Sequence, residues 1–542
     1  MKYFSFKKAI ISIVMAFFIY FNLNAQPVQV DVNNNIYNFL SRMNLKGAIH
    51  NDLSFKPLTR SEILNLLNEI RQVTLLLSDN ELSELNWFLK DYDIELPDEN
   101  RRWNLFDYKN DSFLFVLNPI LGIRLKSNDN GFSYKRWGLG FDAYSSLGKN
   151  WGFNLDFRDK EERGDKLDSL KSFSPEQGIQ ILKQSSKSIE YSKVNGAVTF
   201  STDIFSVSIG KYNLNWGSGY RSKLILSDKA PSFPLFSLRF EPADWLSFYY
   251  IHGFLNSLVP DSSEFYKTSL AYNDTLSQYR LIDRDKYYAA HIVQIKPLKA
   301  LSISLGESIV YSDQFRFAYL VPVLFFRMVD HYYEGQNGFG KGGNSQFFAD
   351  INYRITNGTR VYSTIFIDEL SITKLLKGDP ERNQLGYTLG TQNYGLLQDL
   401  LLTIEYTRIL PWVYSNFIQA QTYENSGYLL GHYIGQNADQ LFVQADYRLM
   451  RGLEFKLWSE YIRKGGTSEM VNQYFPPGEK FLYGLRRNEF NLGFSASYEF
   501  IHDGFAKAEW QYSNITDEDK TRTPGWQLGK NHSFMLAVYY GM

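Results

Sequence analysis

From about residue 112 onward, hydrophobic and polar residues alternate with a period of two. Trp151, Phe153, Leu155 and Phe157 are interleaved with Gly152, Asn154, Asp156 and Arg158. Leu441, Val443, Ala445, Tyr447 and Leu449 are interleaved with Gln440, Phe442, Gln444, Asp446 and Arg448, and Phe490 to Phe500 and Ala506 to Tyr512 follow the same rule. This period predicts strands with one apolar and one polar face. A secreted sandwich or propeller alternates in the same way, so the connections decide. Tight turn signals (148–150, 202–203, 242–244, 297–299, 356–358, 397–399, 450–452, 502–504) alternate with long polar or mixed stretches (159–188, 213–235, 255–285, 313–344, 369–383, 409–437, 465–485, 514–529). Short turns at one end and long loops at the other are the pattern of a transmembrane antiparallel β-barrel. Treating 313–344 as one loop gives about eighteen strands. The even number returns both ends of the barrel, assigned to residues 109–542, to the periplasmic side.

Before the barrel the period changes to that of helices. Thr59-Arg60-Ser61-Glu62 and Ser78-Asp79-Asn80-Glu81 are capping-box patterns. Ile63, Leu66, Leu67 and Ile70 follow the first, and Leu82, Leu85, Phe88 and Leu89 the second. Ile36, Phe39, Leu40 and Met43 predict an earlier helix. Residues 26–108 are therefore expected to be a small periplasmic helical region. Residues 1–25 carry Lys2, Lys7 and Lys8, then the apolar run Ala9–Phe21, and end on Ala25, which is the plan of a secretory signal peptide.

Composition sharpens this picture. Mean hydropathy is −0.32, too polar for a bundle of membrane helices, while 42 Phe, 38 Tyr and 10 Trp are too many for a disordered chain. A barrel accounts for both, because half of every strand faces a lumen while the other half faces lipid between aromatic girdles. The last strand fits, with Phe534, Leu536, Val538 and Tyr540 alternating up to Met542. It resembles the aromatic terminal strand of bacterial barrels, many of which end in Phe. The absence of cysteine removes disulfide scaffolds, thiolate metal sites and thiol nucleophiles. A net charge of −1 gives no basic footprint for nucleic acid.

Catalytic signals are thin. The chain has no His-Glu-x-x-His, Gly-x-Ser-x-Gly or P-loop pattern. Gly338-Phe339-Gly340-Lys341-Gly342-Gly343 matches a dinucleotide fingerprint in letter but lacks its strand–turn–helix setting. Asp330-His331 is the one adjacent acid–base pair considered for a barrel hydrolase. No enzyme activity, cofactor or metal is expected. Two segments stand out, Asn213–Pro231 and Pro322–Glu334. The second is too apolar for a solvated loop, and folding into the lumen as a plug would bury it. The residues singled out as glycan-binding or plug-forming are Trp216, Tyr220, Arg221, Asp228, Arg327, Asp330, His331, Tyr332, Tyr333 and Glu334. Aromatic faces stack on pyranose rings, and the charged groups make strong hydrogen bonds to hydroxyls or uronate carboxylates.

Trp216-Gly-Ser-Gly-Tyr220, Leu224-Ile-Leu-Ser227 and Ala230-Pro231 resemble the Wzi-type capsule-assembly family. So do Tyr37-Asn-Phe-Leu40, Gly47, Lys56-Pro57-Leu58-Thr59-Arg60 and Gly431-His432-Tyr433-Ile434-Gly435-Gln436-Asn437-Ala438-Asp439. Family members often carry Gly-Pro-Gly-Trp where this chain has Gly217-Ser218-Gly219-Tyr220, and Asn-Asn-Ala where it has Asp228-Lys229-Ala230. The resemblance implies an eighteen-stranded outer-membrane barrel over a periplasmic helical bundle. It also implies a non-enzymatic, lectin-like protein that binds and anchors surface or capsular polysaccharide; outer-membrane lipid and envelope export proteins are the further partners expected. The alternatives are a plugged or gated pore and an accessory part of a surface motility or secretion machine.

Overall fold

The computed structural model describes residues 26–268, 279–337, 342–369, 383–468 and 479–541. The predicted signal segment and Gly338–Lys341 of the glycine-rich stretch lie outside the described residues.

Three helices come first: α1 (Ile36–Lys46), α2 (Arg60–Gln72) and α3 (Asp79–Tyr92). Both capping boxes form. The Thr59 and Ser78 side chains accept from the backbone N–H of Glu62 and Glu81, whose carboxylates bond back to the cap residues. Ile36, Phe39, Leu40, Met43, Ile63, Leu66, Leu67, Ile70, Leu85, Phe88 and Leu89 share one core. Leu82 is exposed.

Eighteen long strands then close an antiparallel barrel. They are β1 (Phe113–Asn128), β2 (Ser133–Leu147), β3 (Trp151–Gly164), β4 (Ser188–Ser201), β5 (Phe205–Tyr212), β6 (Phe233–Ala243), β7 (Leu246–Pro260), β8 (Asp283–Leu298) and β9 (Leu301–Ser312). The second half is β10 (Asn344–Thr356), β11 (Thr359–Glu369), β12 (Gln384–Tyr394), β13 (Leu400–Ile409), β14 (Ala438–Met450), β15 (Leu453–Lys464), β16 (Arg487–Ile501), β17 (Gly504–Asp517) and β18 (Gly529–Tyr540). β18 closes onto β1, pairing Tyr540 with Leu121 and Phe534 with Ser127. Phe490, Phe494, Tyr498 and Phe500 are exposed on the outer face of β16, whereas Asn491, Ser495 and Glu499 between them are buried inward. The same outer band includes Leu121, Ile123 and Leu125 on β1 and Phe534, Leu536 and Val538 on β18. A continuous exposed apolar belt around a closed sheet is stable only against hydrocarbon.

The helices dock on the short-turn end. Asp399, in the turn after β12, accepts from Ser78 Oγ and Asn80 Nδ2, both at 2.8 Å. Glu84 pairs with Arg448 at 3.0 Å, and the Trp87 ring stacks on His502 at 3.7 Å. Asp91 joins both bodies, because Arg60 of α2 and Arg102, which also pairs with Asp503 of the barrel, lie 3.1 and 3.3 Å from it. Burial pushes the Asp91 carboxyl up, but Arg102 and Arg60 outweigh it and hold the group well below the usual carboxylate range. A depressed folded pKa means that this contribution is present above about pH 4 and is lost as pH falls through the folded value. Asp91→Asn leaves the buried Arg60 guanidinium without a counter-charge and takes one of two carboxylates from Arg102, a loss of about 3–5 kcal/mol. The expected result is faster hydrogen exchange across 36–92 with the strands unchanged, and a much smaller response of that region to acid than in the native chain.

Candidate functional site

The lumen is filled from above and below. A strap at 50–58 rises from the helices, and the loop after β5 descends to meet it because β5 is only eight residues long and releases the chain inside the wall. Phe55 and Lys56 pair with Trp216 and Asn215 as a two-stranded ribbon. Gly217 N–H donates to Ser54 O at 2.9 Å. Gly217 has φ +114°, which favours glycine and turns the chain here. Asp52 of the strap accepts from Gln294 Nε2 at 3.0 Å and from Ser302 of the wall.

Two wall carboxylates fasten the turn that follows. Asp350 of β10 accepts from Ser218 N–H at 2.8 Å and Ser218 Oγ at 2.6 Å. Glu405 of β13 accepts from the N–H groups of Tyr220 and Arg221, the latter at 2.9 Å, and from Tyr362 Oη at 2.8 Å. The Arg221 guanidinium forms a forked pair with Glu460 of β15 at 3.0 and 3.1 Å and lies over Phe442. Glu460 is satisfied further by Gln440, Tyr433 and Asn491. Tyr220 Oη donates to Asp446 and accepts from Gln444.

The loop 410–437 packs on the other side of this turn. Tyr414 and Tyr423 donate to Leu224 O and Ile225 O at 2.7 and 2.8 Å. Ser227 Oγ donates to Gly431 O at 2.6 Å. A Cβ on Gly431 would meet Tyr414 Oη at 2.5 Å, so the motif glycine is there for close approach. Loop 165–187 crosses above. Lys229 Nζ donates to the carbonyls of Lys171, Ser174 and Glu176 at 2.6, 2.8 and 2.9 Å, while Glu176 pairs with Arg124 and Arg136 of the wall. Phe173 of the same loop sits under the guanidinium of Arg487 on β16.

The electrostatics of this interior are divided. Burial, with Lys223 and Arg360 nearby, pushes the Lys56 ammonium down to about 7; burial pushes Lys229 down to about 8. Half-buried Asp228 lies among Lys56, Lys223 and Lys229. Toward β15, β17 and β1, Lys456, Lys507, Glu509 and Arg124 keep partly exposed side chains at inward positions, so this half of the lumen is polar and wet, and Tyr220 and Arg221 face it.

The sequence-predicted residues therefore separate. Trp216 is 3% exposed, edge-on to Phe55 at 6.1 Å, with no face free for a sugar. Tyr220, Arg221 and Asp228 stay with it in the lumen. Arg327, Asp330, His331, Tyr332 and Tyr333 do not, and the expectation that 322–334 folds into the interior is overturned. This segment forms helix α4 (Phe326–Asn337), which lies against the outside of the wall. Its partners Tyr250, Ala289, Ile309 and Tyr311 alternate along their strands with Tyr249, Ile251, Tyr288, Ala290 and Val310 of the interior core. An apolar segment is stabilised equally by a barrel core or by lipid, so its hydrophobicity did not reveal its side. Asp330 is buried and bonded to Tyr319 Oη and Gly343 N–H, whereas His331 is exposed; the pair is split between two helix faces. The Glu334 side chain lies outside the described residues.

Asp350, Glu405 and Glu460 were not singled out from the sequence, and Lys229 was noted only as a departure from the family pattern. Each is a polar residue at an ordinary position, and its partner lies far along the chain.

An eighteen-stranded barrel whose long loops turn inward and interlock over a helical base defines an occluded outer-membrane-type barrel. The model of the capsule assembly protein Wzi family matches residues 180–526, and the chain belongs to that family. Among solved structures it is similar to the Escherichia coli outer-membrane protein Wzi, described as a carbohydrate-binding β-barrel involved in group 1 capsule assembly. That match has TM-score 0.58 and 14% identity, and covers 95% of this chain and 100% of that one. OccAB1 of Acinetobacter baumannii (TM-score 0.43, 11% identity, 79% of this chain and 95% of that one) and OprD of Pseudomonas aeruginosa (0.40, 12%, 79% and 92%) are more distant. A search of curated protein sequences returns no match.

Proposed function

We propose that this protein is a non-enzymatic, lectin-like barrel of the Gram-negative outer membrane that binds surface polysaccharide and holds it at the cell. In this reading the helical region 26–108 lies in the periplasm after removal of residues 1–25, and 109–542 form the barrel. The observation that carries it is the interlocked lumen. Loops 165–187, 213–232 and 410–437 bond to one another and to the wall, which argues against a standing pore and leaves a built polar surface around Tyr220, Arg221 and Asp228. The group 1 capsule assembly role described for Escherichia coli Wzi supports a capsule-like ligand. A glycan segment reaching the wet half of the lumen under loop 165–187 meets Arg124 and Arg136 there. Tyr220 and Arg221 face that half with an aromatic ring and a charged group, and Asp228 offers a carboxylate among the lysines of the other half.

Deleting the gene is expected to move polysaccharide from the cell-bound to the released fraction with total synthesis unchanged. An unaltered cell-bound fraction removes the proposal. Glu176→Ala, which unties the crossing loop from Arg124 and Arg136, is expected to raise the rate of glycan binding to purified protein by several-fold; an unchanged rate means that the ligand does not pass under this loop.

A further inference from the structure

The outer wall of β7, β8 and β9 carries three ionisable residues that do not belong against lipid: His252, which bonds Tyr311 Oη at 2.8 Å, His291 and Glu307. Glu307 and His291 sit at outward positions, facing one another across the strands with Oε1 and Nε2 3.3 Å apart. An ionisable pair facing hydrocarbon is costly and calls for a cover. Segment 313–337 supplies it. Glu307 accepts the N–H groups of Phe326 and Arg327 at 2.6 and 3.3 Å, so a wall carboxylate caps the first turn of α4. The Phe326 ring closes over His291 at 4.7 Å. Tyr250 Oη donates to Tyr319 O at 2.8 Å, and Gly343 N–H at the head of β10 donates to Asp330 at 2.6 Å. The segment is a flap fastened by specific polar contacts to the outside of the barrel.

A flap in water would turn a polar back to solvent. This one exposes mostly apolar side chains on its outer side: Phe317 is 77% exposed, Val323 79% and Met328 68%, with Phe325 and Tyr332 exposed beside them, and Arg327 and His331 are the charged or polar groups among them. The exposed patch is continuous with the lipid belt of the same strands, because Val293, Ile295 and Leu305 remain uncovered directly below it. Leaving that much apolar surface in water costs about 25 cal/mol per Å².

We infer that the flap 313–337 is embedded in the outer leaflet, its outer face taking the hydrocarbon chains of membrane lipid while its inner face shields Glu307 and His291. This inference rests on the outer-membrane reading above and adds a lipid-binding surface outside the barrel wall. The flap widens the barrel on one side and places the Arg327 guanidinium, itself partly exposed, beside the hydrocarbon-facing side chains.

The chain lacks cysteine, so single labels can be placed without background. Val323→Cys and Met328→Cys, each carrying bimane, are compared in phosphatidylcholine vesicles with Leu305→Cys on the bare belt and Ser263→Cys in an exposed loop. Quenching by spin-labelled phosphatidylcholine is set against quenching by iodide. The lipid-to-iodide ratio at 323 and 328 is expected to match that at 305 and to exceed that at 263 several-fold. A ratio matching 263 overturns the inference, as does shielding from both quenchers together with disulfide dimers of the unlabelled variants, which would mean that a second copy covers the flap. Should the label at 305 also fail to sense lipid, the membrane reading itself falls, so the two failures are distinguishable.

Discussion

Replacing Asp350 and Glu405 together with alanine is expected to turn a closed barrel into a conducting one. The two carboxylates hold the turn 217–221 by both of its sides: Ser218 N–H and Oγ on one, and the N–H groups of Tyr220 and Arg221 on the other. Ser218 is buried, and each donor left without a partner costs about 1–3 kcal/mol. The backbone ladder is untouched, although each carboxylate also accepts from a wall hydroxyl of β11, Thr364 Oγ1 for Asp350 and Tyr362 Oη for Glu405. The Phe55–Trp216 ribbon and the Gly217 N–H to Ser54 O bond hold only the entry to the turn, and the next fastening, Ser218 Oγ to Ser54 Oγ at 2.9 Å, belongs to the released residue. In planar bilayers the double variant should open frequently where the native protein is silent. Asp350→Asn and Glu405→Gln, which keep one acceptor oxygen each, should open rarely. A double alanine variant as silent as the native chain would mean that these contacts do not hold the plug.

The fold was legible because its physics is local. A strand between lipid and lumen must alternate, and a helix start must satisfy its free N–H groups, so 490–500 and Thr59–Glu62 announce themselves. The interior was harder to read. Asp350 and Glu405 look like any lumen-facing polar residue, and the turn residues that their carboxylates hold lie 132 and 184 to 185 residues away. Trp216 reads as a stacking face for sugar until Phe55 is seen to occupy its neighbourhood. The flap was misplaced for a different reason. Phe325 and Phe326 need an apolar surround, and a barrel offers one on both sides of its wall. One local sign was present: Tyr287, Ala289, His291, Val293, Ile295 and Ile303, Leu305, Glu307, Ile309, Tyr311 are outward rows broken at their centres by His291 and Glu307. A polar pair in a lipid-facing row marks where something other than lipid must lie.

Arg221→Met is expected to be the most damaging single change for polysaccharide retention, and its pairing with a second change separates two reasons for that. The Arg221 guanidinium grips Glu460 through two nitrogens and lies on the Phe442 ring, a geometry that a lysine ammonium does not reproduce. Its loss leaves Glu460 buried with only Tyr433, Gln440 and Asn491 as partners, at a cost of about 3–5 kcal/mol. The loop would then lose order and retention together, which by itself does not show that Arg221 touches glycan. Adding Glu460→Gln removes the stranded charge while keeping the acceptor oxygen that Tyr433 and Gln440 share, and Asn491 Nδ2 retains Glu489. Hydrogen exchange of 213–232 should return close to native in the double variant. If Arg221 contacts the ligand, binding of purified polysaccharide stays lost despite the repaired loop. If binding returns with the loop, Arg221 is a fastening of the plug, and the ligand is recognised elsewhere on the surface that the inward loops build.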